Sequence, residues 1–331
     1  MNLHTSAFKR NLTLVLFFFS LSASACDICG CFMGITPYDN QSSIGLLYRY
    51  RSFNGYSGQK NHTFPDNSSF FIPADADGQV YGHAHSSQND YEIFRTAELR
   101  GRYFLHRRIE LNAILPYNSN SSHYHDMTGT ISGIGDVNLY GGYHLIRKLD
   151  NKGLNQRLIA GLGIKLPTGN SEAHNLAGDT YPLLQQPGTG STDGFMYVNY
   201  LVGYKKFGAS LNSSYKINGS NHAGESIANS TTQFLNVFFN QSIGKNVKIV
   251  PSIQTFYEYS GGEKLNGVKT GEHLTDNLMT GLGLDIFIKN ISINTGIQLN
   301  AYNGPTDHPQ SAGKVHLGIT YNFNQLFYML K

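Results

Sequence analysis

Lys314-Val315-His316-Leu317-Gly318-Ile319-Thr320-Tyr321-Asn322-Phe323 places every apolar side chain on one parity and every polar or small one on the other. In an extended chain alternate residues point to opposite faces, so this decapeptide is a strand with one fully apolar face. The apolar face carries Val315, Leu317, Ile319, Tyr321 and Phe323, and the other carries Lys314, His316 and Asn322. An apolar exterior and a polar interior suit a strand with lipid outside and water inside, the reverse of a soluble barrel.

Working outward, the same period marks twelve stretches at 43–53, 91–105, 109–117, 135–145, 156–167, 194–205, 207–217, 231–243, 247–259, 278–289, 291–302 and 314–323. Each is about the nine to eleven residues that a tilted strand needs to cross a bilayer. The gaps alternate: long at 54–90, 118–134, 168–193, 218–230, 260–277 and 303–313, short near 106–108, 146–155, 206, 244–246 and 290. Strict alternation of long and short connections predicts an all-β chain folded as a transmembrane up-and-down antiparallel β-barrel of about 12 strands, with both termini on the short-turn side.

Parity divides the side chains. Leu158, Leu162, Ile164, Leu282, Ile286, Ile297 and Leu299 fall on the lipid parity of their strands. The ionisable groups Arg49, Arg51, Glu98, Arg100, Glu110, Asp136, Lys165, Asp285 and Lys289 fall on the other. Turning a mid-membrane Lys or Arg toward lipid costs roughly 2 to 4 kcal/mol, so these groups are expected to point inward and line the pore. Their signs are mixed, which fits either a salt-bridged plug or a water-filled pore. By the same parity Gly163 faces the interior, and a wet lumen there would tolerate a large side chain. Tyr48, Tyr143, Tyr197, Tyr204, Tyr302 and Tyr321 stand in for the absent Trp at the membrane–water boundary. Phe323 resembles the terminal aromatic read by the barrel-assembly machinery, although the tail 324–331 follows it.

Residues 1–25 read as a secretory signal: Lys9 and Arg10, an apolar run from Leu12 to Leu21, then Ala23-Ser24-Ala25. That run is too short for a spanning helix. The chain is therefore expected in the outer membrane of a Gram-negative bacterium, with a periplasmic N-terminus, a periplasmic leader at 26–42, the barrel at 43–323 and the tail beyond. The formal charge of +3 loses two cations with the signal, and a near-neutral chain implies no nucleic-acid partner. The expected partners are outer-membrane lipid, the assembly machinery and a small-molecule solute.

The leader holds all 3 cysteines, Cys26, Cys29 and Cys31. Three explanations stay open: lipidation of Cys26, a soft thiolate site for copper or zinc, or a local disulfide or redox-inert thiols. Most of the 13 histidines fall in the long gaps, including the pairs His83-Ala84-His85 and His123-Tyr124-His125-Asp126. Imidazoles beside a carboxylate suit Cu(II) or Zn(II), whereas histidines in polar loops are also common surface residues. Glu98 and Glu110 could form a carboxylate pair, yet Arg100 and Arg102 make ion pairing the simpler role. No segment carries a recognisable Ser/His/acid set, so catalysis is not expected.

Gly161-Leu162-Gly163-Ile164-Lys165-Leu166-Pro167-Thr168-Gly169, Gln186-Pro187-Gly188-Thr189-Gly190-Ser191-Thr192-Asp193 and Gly133-Ile134-Gly135-Asp136 resemble motifs of the phenol-degradation (MetA-pathway-like) family of outer-membrane transporters. Cys-Asp-Ile-Cys-Gly-Cys at 26–31 and Leu47-Tyr48-Arg49-Tyr50-Arg51-Ser52-Phe53 are similar to the version found in Bacteroidetes-type bacteria. The resemblance implies a barrel passing small, aromatic or hydrophobic solutes. Independently, Pro167 ends its strand's ladder and the glycines of 169–190 allow sharp turns, giving either a loop folded into the pore or a compact surface loop.

Overall fold

The structure, a computed structural model, describes residues 41–55, 90–124, 127–149, 153–174, 180–270, 273–304 and 310–323. The signal, nearly all of the leader and the tail lie outside them.

In chain order the strands are β1 Ser42–Asn54, β2 Tyr91–His106, β3 Ile109–Tyr124, β4 Met127–Ile134, β5 Val137–Lys148, β6 Leu154–Leu166, β7 Asp193–Tyr204, β8 Phe207–Ile217 and β9 Glu225–Ile227. They continue as β10 Ser230–Phe239, β11 Gln241–Ile243, β12 Val247–Gly261, β13 Glu263–Leu265, β14 Val268–Lys269, β15 His273–Ile288, β16 Ile291–Asn303 and β17 Ser311–Phe323. Twelve of them, β1, β2, β3, β5, β6, β7, β8, β10, β12, β15, β16 and β17, form a closed antiparallel barrel. Each pairs with its chain neighbours, and the first meets the last in the register Leu46↔Ile319 and Tyr48↔Leu317. Closure leaves no strand edge unpaired, which is what allows strands to stand in hydrocarbon.

The expected faces are present. Leu317 is 56% exposed on the outer surface while His316 beside it is 3% exposed. Leu162, at 70%, and Lys165, at 2%, repeat the contrast on β6. The outer surface is aliphatic with Tyr near the strand ends, and the buried residues are mostly polar or charged side chains. A barrel of this kind thus hides its polar groups and shows its apolar ones.

Several expectations need correction. Residues 118–134 are not a loop: β3 runs on to Tyr124 and pairs with β4 from Tyr117↔Ile134 to Tyr124↔Met127. Beyond the bilayer no face has to be apolar, so the ladder continues through Ser, Asn and Thr. Hydroxyl pairs such as Ser132–Ser119 at 2.9 Å and Thr130–Ser121 at 3.0 Å bridge it. The gaps at 218–230 and 260–277 likewise contribute β9, β13 and β14, which form a small sheet of their own. The strand expected at 231–243 breaks at Asn240, whose N–H turns to donate to Lys206 O at 2.7 Å. Lys289 sits in an exposed turn at φ 51° and does not point into the lumen. Tyr197 is not a boundary aromatic. It is buried against Tyr140, Phe195 and Ile159, because β7 is apolar on both faces and its parity is ambiguous. That packed cluster also fills the space beside Gly163, whose missing Cβ would collide with the Phe195 ring and with Tyr140 Cβ, so the interior is not wet at this level.

Candidate functional site

On β1 and β2 the residues Arg49, Arg51, Glu98 and Arg100 share the inward parity, which stacks them along one wall. Glu98 is bonded by Arg49 and by Arg100, the latter through Nε at 2.6 Å. Arg51 crosses the lumen to Glu258 on β12, and its guanidinium also donates to Ser311 Oγ at 3.2 Å. Asn277 Nδ2 donates to Glu258 at 2.7 Å. Lys314 places its ammonium 3.8 Å from the centre of the Phe256 ring. Toward the short turns Glu110 meets His144 at 3.2 Å, and on the far wall Asn294 donates to Asp285 at 2.6 Å. Opposed charges are paired side by side, so the interior carries strong local fields.

The second half of the site is a loop. Pro167 ends β6, as its missing N–H requires, and residues 183–191 of the same connection turn back into the barrel. Leu183, Gln185, Gln186, Thr189 and Ser191 are buried there. Asn118 Nδ2 donates to Pro187 O at 2.7 Å, Asn120 Nδ2 to Gln185 O at 3.0 Å, and Ser122 Oγ to Gln185 Oε1 at 2.9 Å. Of the two expectations, the folded-in loop is the one the structure contains.

Asp136 is the anchor. Its carboxylate accepts from Gly169 N at 3.0 Å, from Thr189 N at 2.9 Å and from Thr189 Oγ1 at 3.0 Å, and it pairs with Lys165. Lys165 also reaches Asp193 at 3.1 Å, and Lys216 reaches Asp193 at 2.8 Å. Two lysines and two aspartates thus neutralise one another at the root of the loop. The backbone there is tight: a Cβ on Gly169 would lie 2.8 Å from Gly188 Cα. Only glycine fits such an approach. The three glycine-rich segments singled out in the sequence therefore meet at one point, which their separation along the chain did not reveal.

Between loop and wall lies a cavity of about 110 Å³. Phe53, Phe94, Ile114, Leu183, Leu184 and Pro187 supply its apolar lining, with Arg49, Arg51, Glu98, Asn120, Lys165 and Thr189 among its polar groups.

Of the expected site residues, Arg49, Arg51, Glu98, Asp136 and Lys165 come together around this cavity, while Arg100 stands behind Glu98. Glu110 and Asp285 are buried elsewhere in the barrel. Asp193, Thr189 and Leu183 were not singled out as site residues, because nothing local in a loop sequence says that it folds inward. Among the metal candidates, Cys26, Cys29, Cys31, His83, His85 and His125 lie outside the described residues. His123 stacks on Tyr91 at 5.1 Å and contacts Thr128 Oγ1 at 2.9 Å. No group of three His, Cys, Asp or Glu side chains suited to a metal occurs among the described residues.

Residues 72–316 match the model of the protein family described as "Putative MetA-pathway of phenol degradation". The fold is similar to the COG4313 outer membrane channel from Pseudomonas putida F1, at 14% identity and a TM-score of 0.58, covering 88% of this chain and 100% of that one. It also matches the beta domain of the Bordetella autotransporter BrkA at 11% identity and a TM-score of 0.47, covering 86% and 100% respectively. No curated protein matches the chain.

Proposed function

The chain belongs to that phenol-degradation family, a family of outer-membrane barrels, and from this premise we propose that it is an outer-membrane channel for a solute about the size of one aromatic ring. The observation that carries the proposal is the cavity between the inward loop and the Arg49–Glu98 wall. An apolar cavity of about 150 Å³ admits benzene, so a space of about 110 Å³ beside the inward loop is on the scale of a single ring. The lining combines Phe, Leu, Ile and Pro surfaces with charged and amide groups, and this suits a ring bearing a polar substituent.

In this account the barrel sits in the outer membrane of a Gram-negative bacterium with the short turns and N-terminus in the periplasm. Solute enters past the long loops, pauses against Phe53, Phe94 and Leu183, and leaves when the loop shifts. Arg49, Arg51, Glu98, Arg100, Glu110, Asp136, Lys165 and Asp285 give the lumen a polar surface from which no single charge sign is excluded. The copper- or zinc-binding alternative rests on His123 and on residues outside the described ones, and no contact of His123 favours it.

Uptake into proteoliposomes tests the proposal. Phenol-sized solutes should enter faster than into protein-free vesicles, and two-ring solutes of similar polarity should not. Equal entry of both classes would reject a ring-sized constriction.

A further inference from the structure

At the short end each of three hairpin turns is bonded to a neighbouring strand, strand end or turn. Arg108 O accepts from His144 N at 2.9 Å, Lys206 O from Asn240 N at 2.7 Å, and Asn246 O from Lys289 N at 3.2 Å. The turns form a rim, and among the described residues its exposed charges are of one sign. Arg108, Lys148, Lys205, Lys206 and Lys245 are exposed along it. Among the described residues no carboxylate lies in these turns. The nearest, Glu110, is buried against His144, and the sequence places only Asp150 in one of them. The long-loop mouth is different, mixing Glu172, Glu225, Glu263 and Asp276 with Lys264 and Lys269.

One sector of the rim is built more fully. Lys205, held at φ 54°, sets its ammonium 5.2 Å from the centre of the Tyr204 ring. Lys206 sets its own 5.7 Å from the Phe239 ring and 2.8 Å from Gln241 Oε1. Tyr204 and Phe207 are 54% and 67% exposed on the lipid parity, and Phe207 packs on Phe239 at 5.1 Å. Aromatic rings of this kind mark the boundary between hydrocarbon and headgroups. Two ammonium groups fixed at that depth, above an apolar surface open to acyl chains, present cations where a lipid presents its phosphate.

We propose that the Lys205–Lys206 turn, with Tyr204, Phe207 and Phe239, is a binding site for the phosphodiester headgroup of an anionic glycerophospholipid in the leaflet at the short-turn end, and that the basic rim extends this preference around the barrel. The headgroup would sit between the two ammonium groups while one acyl chain lies against Tyr204 and Phe207. The leaflet named rests on the orientation proposed above. The headgroup chemistry does not.

The test is mass spectrometry of lipids retained by the full barrel released from nanodiscs of equimolar phosphatidylcholine and phosphatidylglycerol. Wild type should retain phosphatidylglycerol in clear excess. Each cation near an anionic surface is worth about fivefold in affinity, so Lys205→Asn with Lys206→Gln should lower the excess by roughly tenfold or more. Asn tolerates the left-handed backbone at 205, which keeps the turn. Lys264→Gln with Lys269→Gln, at the opposite mouth, should leave the excess unchanged. Should the turn variant fail to assemble, wild type prepared at about 1 M salt serves in its place, and the preference should collapse as the screening length falls to about 3 Å. Equal retention of both lipids by wild type, or an undiminished preference in the turn variant, would each overturn the assignment. Solute uptake by the turn variant should remain at the wild-type rate, so failure of the lipid site and failure of the channel are read separately.

Discussion

Replacing Asp136 by Ala should open the barrel. Its carboxylate receives both backbone amides, Gly169 N and Thr189 N, that pin the loop's two ends, together with the Thr189 hydroxyl and Lys165. A hydrogen bond to a charged group contributes about 1.5 to 3 kcal/mol. Removing one partner of a buried pair costs about 3 to 5 kcal/mol. The bonds share one carboxylate and do not add, so about 4 kcal/mol is a fair figure for the loss of loop docking. At about 1.4 kcal/mol per tenfold, that shifts the balance between docked and displaced loop by roughly a thousandfold. A loop displaced about 0.1% of the time would then be displaced about half the time. Lys165 keeps Asp193, 3.1 Å away, so the barrel wall itself should stand. Single-channel recording in planar bilayers should show rare, brief openings for wild type and long, larger ones for Asp136→Ala, with Asp136→Asn between them. A folded Asp136→Ala barrel with wild-type conductance would refute the idea that this carboxylate holds the constriction.

Three further outcomes are expected. Leu162→Arg places a guanidinium in hydrocarbon at a cost of roughly 2 to 4 kcal/mol, and Gly163→Arg drives a side chain into Phe195 and Tyr140. Both should therefore depress the heat-modifiable folded band, and a normal Gly163→Arg barrel would contradict the packed cluster. Epitope tags at Gly267, exposed in the turn between β13 and β14, should be labelled on intact cells and tags at Lys245 should not; labelling at Lys245 would invert the proposed orientation. If the loop histidines hold a metal, Cu(II) or Zn(II) affinity should fall as pH drops through about 6.5 and vanish when His83, His85, His123 and His125 become Ala. Binding that survives this but is lost with Cys29→Ser and Cys31→Ser would move the metal to the leader.

The barrel was legible because lipid imposes a period of two on every spanning strand. Strand 207–217 was bounded in the sequence as it is in the structure, and Lys165 and Glu98 point inward as their parity demands. Legibility failed where lipid imposes nothing. The β3–β4 extension alternates no apolar residues, so its Ser, Asn and Thr looked like loop. Tyr197 misled because Phe195 and Met196 are both apolar, and neither face of β7 declares itself. The glycine-rich segments pointed to tight turns, but that Gly169 and Gly188 converge with Gly135 on Asp136 depends on bonds to Asp136 from Gly169 and Thr189, 33 and 53 residues away in the chain. The inward course of 183–191 is of the same kind, a tertiary fact decided by Asn118, Asn120 and Ser122 on a different strand.

The central claim is that a ring-sized solute passes through the cavity between the 183–189 loop and the Arg49–Glu98 wall. Single-barrel ionic current recorded while phenol is added to one chamber tests it most directly. Phenol should interrupt the current in discrete, concentration-dependent blocks, and Leu183→Trp, which fills the cavity, should abolish those blocks while a residual current persists. Phenol flux across proteoliposomes with no effect of phenol on the current, or blocks that persist unchanged in Leu183→Trp, would contradict a route through this cavity.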